Sequence, residues 1–285
     1  MNQEKQVVVL VGAGGIGKAI ARRVAFGKKL LITSLTQEET DASVDELLSS
    51  GFDVEGMPCD LSSRADIEAV AARAQEIGPV ANVICSGGVS PSQAPIETIL
   101  AVDLYGTSVL LEEFGKVIAP GGSAVVISSQ SGHRLPALTP EENVLLATTP
   151  VEELLDLPML QPEAIGTTLR AYQYAKRTNV LRCAYEATRW GRRGARVNSV
   201  SPGIVITPLA FDEINGPRGE GYRTMIEKMP AGRAATTDEV AALCEFLLGP
   251  SAAFITGTDI LADGGCTAAY WYGDLRYLQD GWAQS

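Results

Sequence analysis

The chain is 285 residues long, 46% hydrophobic and 20% charged, with a formal net charge of −11. That size and apolar content suit a globular chain with a sizeable core rather than a disordered one, and the negative charge repels phosphate backbones, excluding nucleic acid as an expected partner. The longest apolar runs are too short to span a bilayer and the opening "MNQEKQ" lacks a signal-peptide apolar region, so a soluble cytoplasmic protein without a membrane partner is expected.

Residues 6–12, "QVVVLVG", form a predicted buried strand, followed by a glycine cluster and by "IGKAIARRVAFG", whose apolar spacing predicts a helix ending at Gly27. "KLLITSL" is a second strand, "TDASVDELLSSG" a helix with a glycine stop, and "FDVEGMPCDL" a third strand. The alternation continues with a serine-opened helix over 62–78, a strand over 81–88, a helix over 95–118 and a strand over 122–130. A long helix around 165–190, the strand "ARVNSVSPG" and a last strand "DILADGG" complete it. Strands alternating with helices imply right-handed crossovers and one doubly wound parallel sheet, an α/β Rossmann fold in a single domain over 1–265. No repeat or linker divides the chain.

Residues 133–165 break this rhythm. "TPEE" and "TPVE" each place Thr at the N-cap, Pro at N1 and Glu at N3, which predicts two short helices. An insertion of this length is expected to be a lid over an apolar substrate, or else an oligomer contact or structural decoration. The end, 266–285, carries three tyrosines and two tryptophans, an aromatic tail expected either at a subunit interface or folded over its own core.

The cluster "GAGGIG" satisfies GxGxxG at Gly12, Gly14 and Gly17, enclosing Gly15 and Ile16, directly after a strand and at the start of a helix. Glycines there allow a tight turn and the close approach of a pyrophosphate, whose charge rests at the helix N-terminus. Ser34 stands at the end of the second strand, where an NAD site usually has an acid for the ribose 2′-hydroxyl. A neutral residue removes repulsion against a 2′-phosphate and favours NADP(H) over NAD(H), although Leu35 follows where an arginine is expected. Five separated cysteines without a CxxC pair suit reduced, mostly buried thiols, and the sole histidine, His133, rules out a histidine-rich metal site, so no metal is expected.

In "AYQYAK", residues 171–176, helical periodicity puts Tyr172 and Lys176 on one face and turns Tyr174 elsewhere. With this YxxxK, the glycine turn and the α/β alternation in order, the chain resembles the short-chain dehydrogenase/reductase family over nearly its whole length. The resemblance implies a catalytic pair in Tyr172 and Lys176, the serine at Ser129 of "VVISSQSG", and a helix Asp103 in the place of the family's asparagine. It further implies cofactor contacts from Asp60 and Leu61 in "CDL", from Gly87 and Gly88, and from Val205 and Thr207 in "SPGIVIT", with Tyr172 and Lys176 also meeting the nicotinamide ribose. The family's NNAG is "CSGG" here, so the asparagine bracing of the central strands is expected to be lost. The long connection from Ser129 to Tyr172 is similar in layout to bacterial 3α-hydroxysteroid dehydrogenase/carbonyl reductase, which implies a bulky ketone or hydroxysteroid-like substrate.

The implied reaction is hydride transfer between a nicotinamide cofactor and a secondary alcohol or ketone. An ordinary tyrosine has a pKa of about 10, and Lys176 one turn away, with the oxidised nicotinamide ring, is expected to lower it so that Tyr172 acts as acid in reduction and base in oxidation. Ser129 would donate to the carbonyl oxygen as its charge grows. Because adjacent strand residues point to opposite faces, only one of Ser128 and Ser129 can face Tyr172. The alternatives are a non-catalytic dinucleotide-binding regulator, and a nucleotide-sugar epimerase or dehydratase. The resemblance also implies a homotetramer or homodimer.

Overall fold

A computed structural model describes residues 5–281. Seven parallel strands lie in the order β3-β2-β1-β4-β5-β6-β7. They are β1 (Val7–Val11), β2 (Lys29–Ser34), β3 (Asp53–Pro58), β4 (Val80–Cys85), β5 (Ile118–Ile127), β6 (Arg196–Pro202) and β7 (Asp259–Ala262). β1 is "VVVLV", buried at every position, because a parallel strand covered on both faces needs apolar, β-branched residues throughout rather than alternation.

Alternation along the strands still divides the core in two. Val7, Val9 and Val11 face the layer of α3 (Arg64–Ile77), α5 (Thr107–Val117) and α8 (Thr168–Gly191), where Phe114 and Trp190 are fully buried. Val8 and Leu10 face α1 (Gly15–Val24), α2 (Gln37–Ser49) and α11 (Thr237–Leu248) through Ile20, Leu47 and Val240. The single-domain doubly wound sheet is therefore as expected, with α1 ending at Val24 rather than Gly27. No helix among the described residues is long and apolar enough to cross a membrane.

The helix expected over 95–118 is not continuous. α4 (Ile96–Ile99) opens into a π-helical stretch at Leu100–Gly106 before α5 continues it. Such a bulge inserts extra backbone into a turn and re-aims the side chains on it, here Asp103. Sequence reading also passed over the segment between β6 and β7, which forms α9 (Pro208–Asn215), α10 (Gly219–Lys228) and α11. The start of α11 was readable: Thr236 and Glu239 make a reciprocal capping box, and Gly249 follows its end.

The insertion contains α6 (Pro140–Thr148), opened by the expected capping box of Thr139 and Glu142. The second expected helix is instead a 3-10 turn, Val151–Asp156, with Pro150 rather than Thr149 at its N-cap position and no side-chain cap, and a short α7 (Pro162–Ile165) follows. Leu135, Leu146, Leu154, Leu160 and Ile165 are buried against Leu100 and Leu104 and against Ala171, Tyr174 and Ala175 of α8. Tyr174 is thus a packing residue, with the Arg170 guanidinium 5.7 Å from its ring. In the tail, α12 (Cys266–Tyr272) folds back on its own chain: Trp271 Nε1 donates to the His133 carbonyl at 3.0 Å, and Arg134 lies 5.1 Å from the Tyr270 ring. Tyr272 points outward, and the second tail tryptophan, at 282, lies outside the described residues. All five cysteines are buried and free.

Candidate active site

Strand order reverses between β1 and β4, which opens a crevice beyond their C-terminal ends. Two connected hollows occupy it, about 180 and 530 Å³, sharing Ser86, Gly87, Gly88 and Val89. In the turn after β1, Gly12 has φ +88°, and a Cβ on it would lie 2.3 Å from the Gly87 backbone. A Cβ on Gly17 would lie 2.1 Å from Ser86 Oγ and 2.7 Å from Leu10, so this glycine seats α1 on the sheet. Gly14 differs: a Cβ there meets nothing within 4 Å, and as N-cap of α1 it leaves the helix start without a side-chain cap. Two glycines serve packing and one keeps the helix N-terminus open, an arrangement that fits the pyrophosphate of a dinucleotide.

The larger hollow is lined by Gly12, Gly14, Ser34, Leu35, Glu39, Asp60 and Leu61 among others. Asp60 holds its turn by accepting from Ser62 N at 2.8 Å and Ser62 Oγ at 2.7 Å. Among the described residues, no lysine or arginine lines this hollow. The smaller one is lined by Ile16, Ser129, Tyr172, Lys176, Val205 and Thr207, so sequence-predicted residues from four separate segments meet in one crevice. Gly15 stands at its edge, where a Cβ would come to 3.5 Å from Thr207 Cγ2. Thr207 caps α9 by accepting from Ala210 N at 3.2 Å.

Ser129 lies just past β5 and lines the same hollow as Tyr172, whose pKa its hydroxyl acts to lower; its Oγ accepts from Ser131 N at 3.1 Å. Ser128 faces away, donating to the Lys176 carbonyl at 2.7 Å, as strand alternation requires. Lys176 Nζ is 5.2 Å from the Tyr172 ring centroid and 3.4 Å from Asp103 Oδ2. Asp103 is fully buried and its Oδ1 accepts from Val89 N at 2.9 Å. Burial raises the Asp103 pKa, and Lys176 opposes the rise. For Lys176, burial lowers the pKa, but the charges of Asp103 and Tyr172 outweigh it and the net shift is upward.

The expected lowering of the Tyr172 pKa is corrected here. Burial pushes it above its ordinary value, Lys176 pulls down as anticipated, and Asp103 and Glu213 push it further up. Glu213 was not foreseen. It sits on α9, which with α10 supplies Leu209, Ala210 and Tyr222 to the crevice. None of the residues lining either hollow comes from 133–165, whereas α9 and α10 line the smaller one. No periodic or motif signal marks Glu213, because only tertiary folding brings this helix over the sheet.

Residues 5–140 match the family described as "short chain dehydrogenase" and residues 153–267 that described as "Enoyl-(Acyl carrier protein) reductase". The chain is 39% identical over 265 residues to the short-chain dehydrogenase/reductase bsc3 of Alternaria brassicicola, covering 93% of this chain and 96% of that protein. The chain belongs to the short-chain dehydrogenase/reductase family. It is also similar to D-threitol dehydrogenase of Mycolicibacterium smegmatis, 32% identical over 92% of this chain and 93% of that one. The 3α-hydroxysteroid dehydrogenase/carbonyl reductase of Comamonas testosteroni, whose layout the insertion resembles, is 30% identical over 65% of this chain and 72% of its own. A short-chain dehydrogenase/reductase from Serratia marcescens shares the fold with a TM-score of 0.72 at 23% identity, covering 93% of this chain and 98% of that one. As a family member the protein is a nicotinamide-dependent oxidoreductase of alcohols and ketones, which sets aside the regulator and epimerase alternatives.

Within the family pattern, "CSGG" does not cost the central strands their brace. Ser86 Oγ donates to the Gly12 carbonyl at 2.6 Å while Ser86 N and Gly87 N both donate to the Val11 carbonyl, at 2.9 and 3.0 Å. A serine hydroxyl suffices because the two glycines bring the backbones so near. Ser86→Ala is therefore expected to lower stability by about 1–2 kcal/mol, read as a lower midpoint in urea unfolding.

Proposed function

We propose that this enzyme reduces a ketone, or oxidises the matching secondary alcohol, with Tyr172 moving the proton and Ser129 holding the substrate oxygen. The observation that carries this is that Tyr172, Ser129 and Lys176 line one crevice, with the Lys176 ammonium 5.2 Å from the phenol ring. Bound nicotinamide dinucleotide would supply or accept the hydride. Gly12, Gly14, Gly15, Ile16 and Gly17 would hold its pyrophosphate, Asp60, Leu61, Gly87 and Gly88 its adenosine half, and Val205 and Thr207 its carboxamide. In reduction, Tyr172 gives its proton to the oxygen as negative charge develops there, while the Ser129 hydroxyl donates to that same oxygen. Lys176 steadies the resulting phenolate, and Asp103, anchored by the Val89 N–H, holds Lys176 in place.

The insertion that suggested a bulky hydroxysteroid-like substrate packs behind Tyr172 and Val89 and lines neither hollow itself, so that motive falls away and the reading rests on the carbinol chemistry alone. We place the enzyme in the cytoplasm as a homotetramer or homodimer; five buried free thiols suit a reducing compartment, and the outward Tyr272 and Phe254 suit contact between subunits.

Tyr172→Phe is expected to abolish turnover of a ketone panel, followed by nicotinamide absorbance, while cofactor binding is kept; turnover within tenfold of the native enzyme sinks the assignment. Asp103→Asn keeps the bond from Val89 N and removes a charge that raises the Tyr172 pKa. Tyr172 then loses its proton more readily, so the rise of alcohol oxidation with pH should move to lower pH. A rise that stays put or moves up counts against a charged Asp103.

For the cofactor, neutral Ser34 favours NADP(H) over NAD(H), whereas the lining carries Glu39 and no cation, leaving hydroxyl and backbone N–H groups to meet a 2′-phosphate. We therefore expect NADPH to bind more tightly by less than about tenfold, or about 1.4 kcal/mol. Fluorescence titration with both reduced cofactors checks it, and tenfold tighter NADH reverses the assignment.

A further inference from the structure

The reaction described above makes no use of one carboxylate in the crevice. Glu213, 4% exposed, lines the same hollow as Tyr172 and Ser129, and its charge is felt at both Tyr172 and Tyr222. Its Oε2 accepts from Ser92 Oγ at 2.9 Å, which ties α9 to the loop after β4. Its Oε1 is buried without a hydrogen-bond partner. On that loop, Ser90 also lines the hollow, is 4% exposed, and has an equally unpartnered buried Oγ.

Buried polar atoms are nearly always paired, since an unpaired one costs about 1–3 kcal/mol. Two such atoms in the hollow that holds the proton-transferring tyrosine imply that a ligand completes them. An ionised carboxylate only accepts hydrogen bonds, so the completing group must donate. The other charged side chain lining this hollow, Lys176, is already set against Asp103. A negatively charged ligand group would therefore meet Glu213 without a free cation to offset it.

Resting on the oxidoreductase reading, we propose that Glu213, with Ser90, selects the substrate: a ketone or secondary alcohol bearing a second, hydrogen-bond-donating group that donates to Glu213 Oε1. A hydroxyl and a protonated amine both meet this requirement, and carbonyl compounds bearing a carboxylate or phosphate are rejected. Polar recognition is the stronger means of discrimination, because the analogue that lacks the donor leaves the buried acceptor unpaired. An apolar pocket gains only the weaker preference that comes from filling volume.

The test uses cyclohexanones that differ only in the substituent across the ring from the carbonyl: hydroxyl, ammonium, methyl or carboxylate. Each is reduced by the full-length enzyme with saturating reduced cofactor. We expect kcat/KM for the hydroxyl and ammonium compounds to exceed that of the methyl compound by about tenfold or more, with the carboxylate about tenfold below it. Glu213→Gln should retain part of the hydroxyl preference, since an amide oxygen still accepts, while losing the ammonium preference and relieving the carboxylate penalty. Glu213→Leu should level all four. Ser92→Ala, which loosens the tie but keeps the carboxylate, should preserve the ranking and so separates recognition from simple loosening of α9. Equal kcat/KM for the methyl and hydroxyl compounds in the native enzyme, or an unchanged ranking in Glu213→Leu, overturns the selection while leaving the oxidoreductase reading intact. If none of the four is reduced with either cofactor, the functional reading fails and the selection with it.

Discussion

The backbones of Gly12 and Gly87 run past one another with no room for a side chain, a Cβ on the first falling 2.3 Å from the second. That contact closes the ends of β1 and β4 where the sheet reverses its order, and Ser86 locks it by donating to the Gly12 carbonyl. Everything in the crevice is placed relative to it. The open start of α1 lies to one side, Asp60 and Leu61 to another, and the next glycine, Gly88, leaves just enough space for Asp103 and Lys176: its Cβ would lie 2.8 Å from Asp103 Oδ1 and 3.3 Å from Lys176 Nζ. Small residues here are therefore a condition for bringing charged side chains under the backbone.

Electrostatics adds a second constraint. Lys176 and Asp103 are withdrawn from water together, and a buried ion pair survives only when geometry and further hydrogen bonds offset the loss of hydration. The Val89 N–H supplies one such bond, and the π-helical turn at Leu100–Gly106 brings the carboxylate to it. The same burial raises the Tyr172 pKa, with Asp103 and Glu213 pushing in the same direction and Lys176 opposing. In the proposed reaction, a phenol kept protonated in this way would be matched to donating a proton as a ketone is reduced, and would become a base when positive charge is brought close.

Much of the fold was legible because its signals are local. The buried run "VVVLV", the amphipathic period of α1 and the Thr139 and Glu142 capping box each depend on residues a few positions apart. The break in the helix at Leu100 was not legible, since a π turn has no distinct residue pattern and here answers to packing, with Gly106 pressed on the Leu61 carbonyl. Nor was the replacement of the asparagine brace by Ser86, which depends on how near two chain segments come across the sheet. The insertion misled for a related reason: its leucines announce burial but not the surface that buries them, which proved to be α4, the π-helical turn and α8 rather than a substrate.

By itself the sequence determined the class of fold, the glycine turn, and the pairing of Tyr172 with Lys176, because strand and helix periods convert spacing directly into facing. The tertiary structure alone decided which helices line the crevice, which of two serines acts on Tyr172 within it, and that Glu213 lines the site. Those outcomes turn on contacts between segments far apart in the chain, such as Ser92 with Glu213, and their energies come from desolvation and packing that no local pattern encodes.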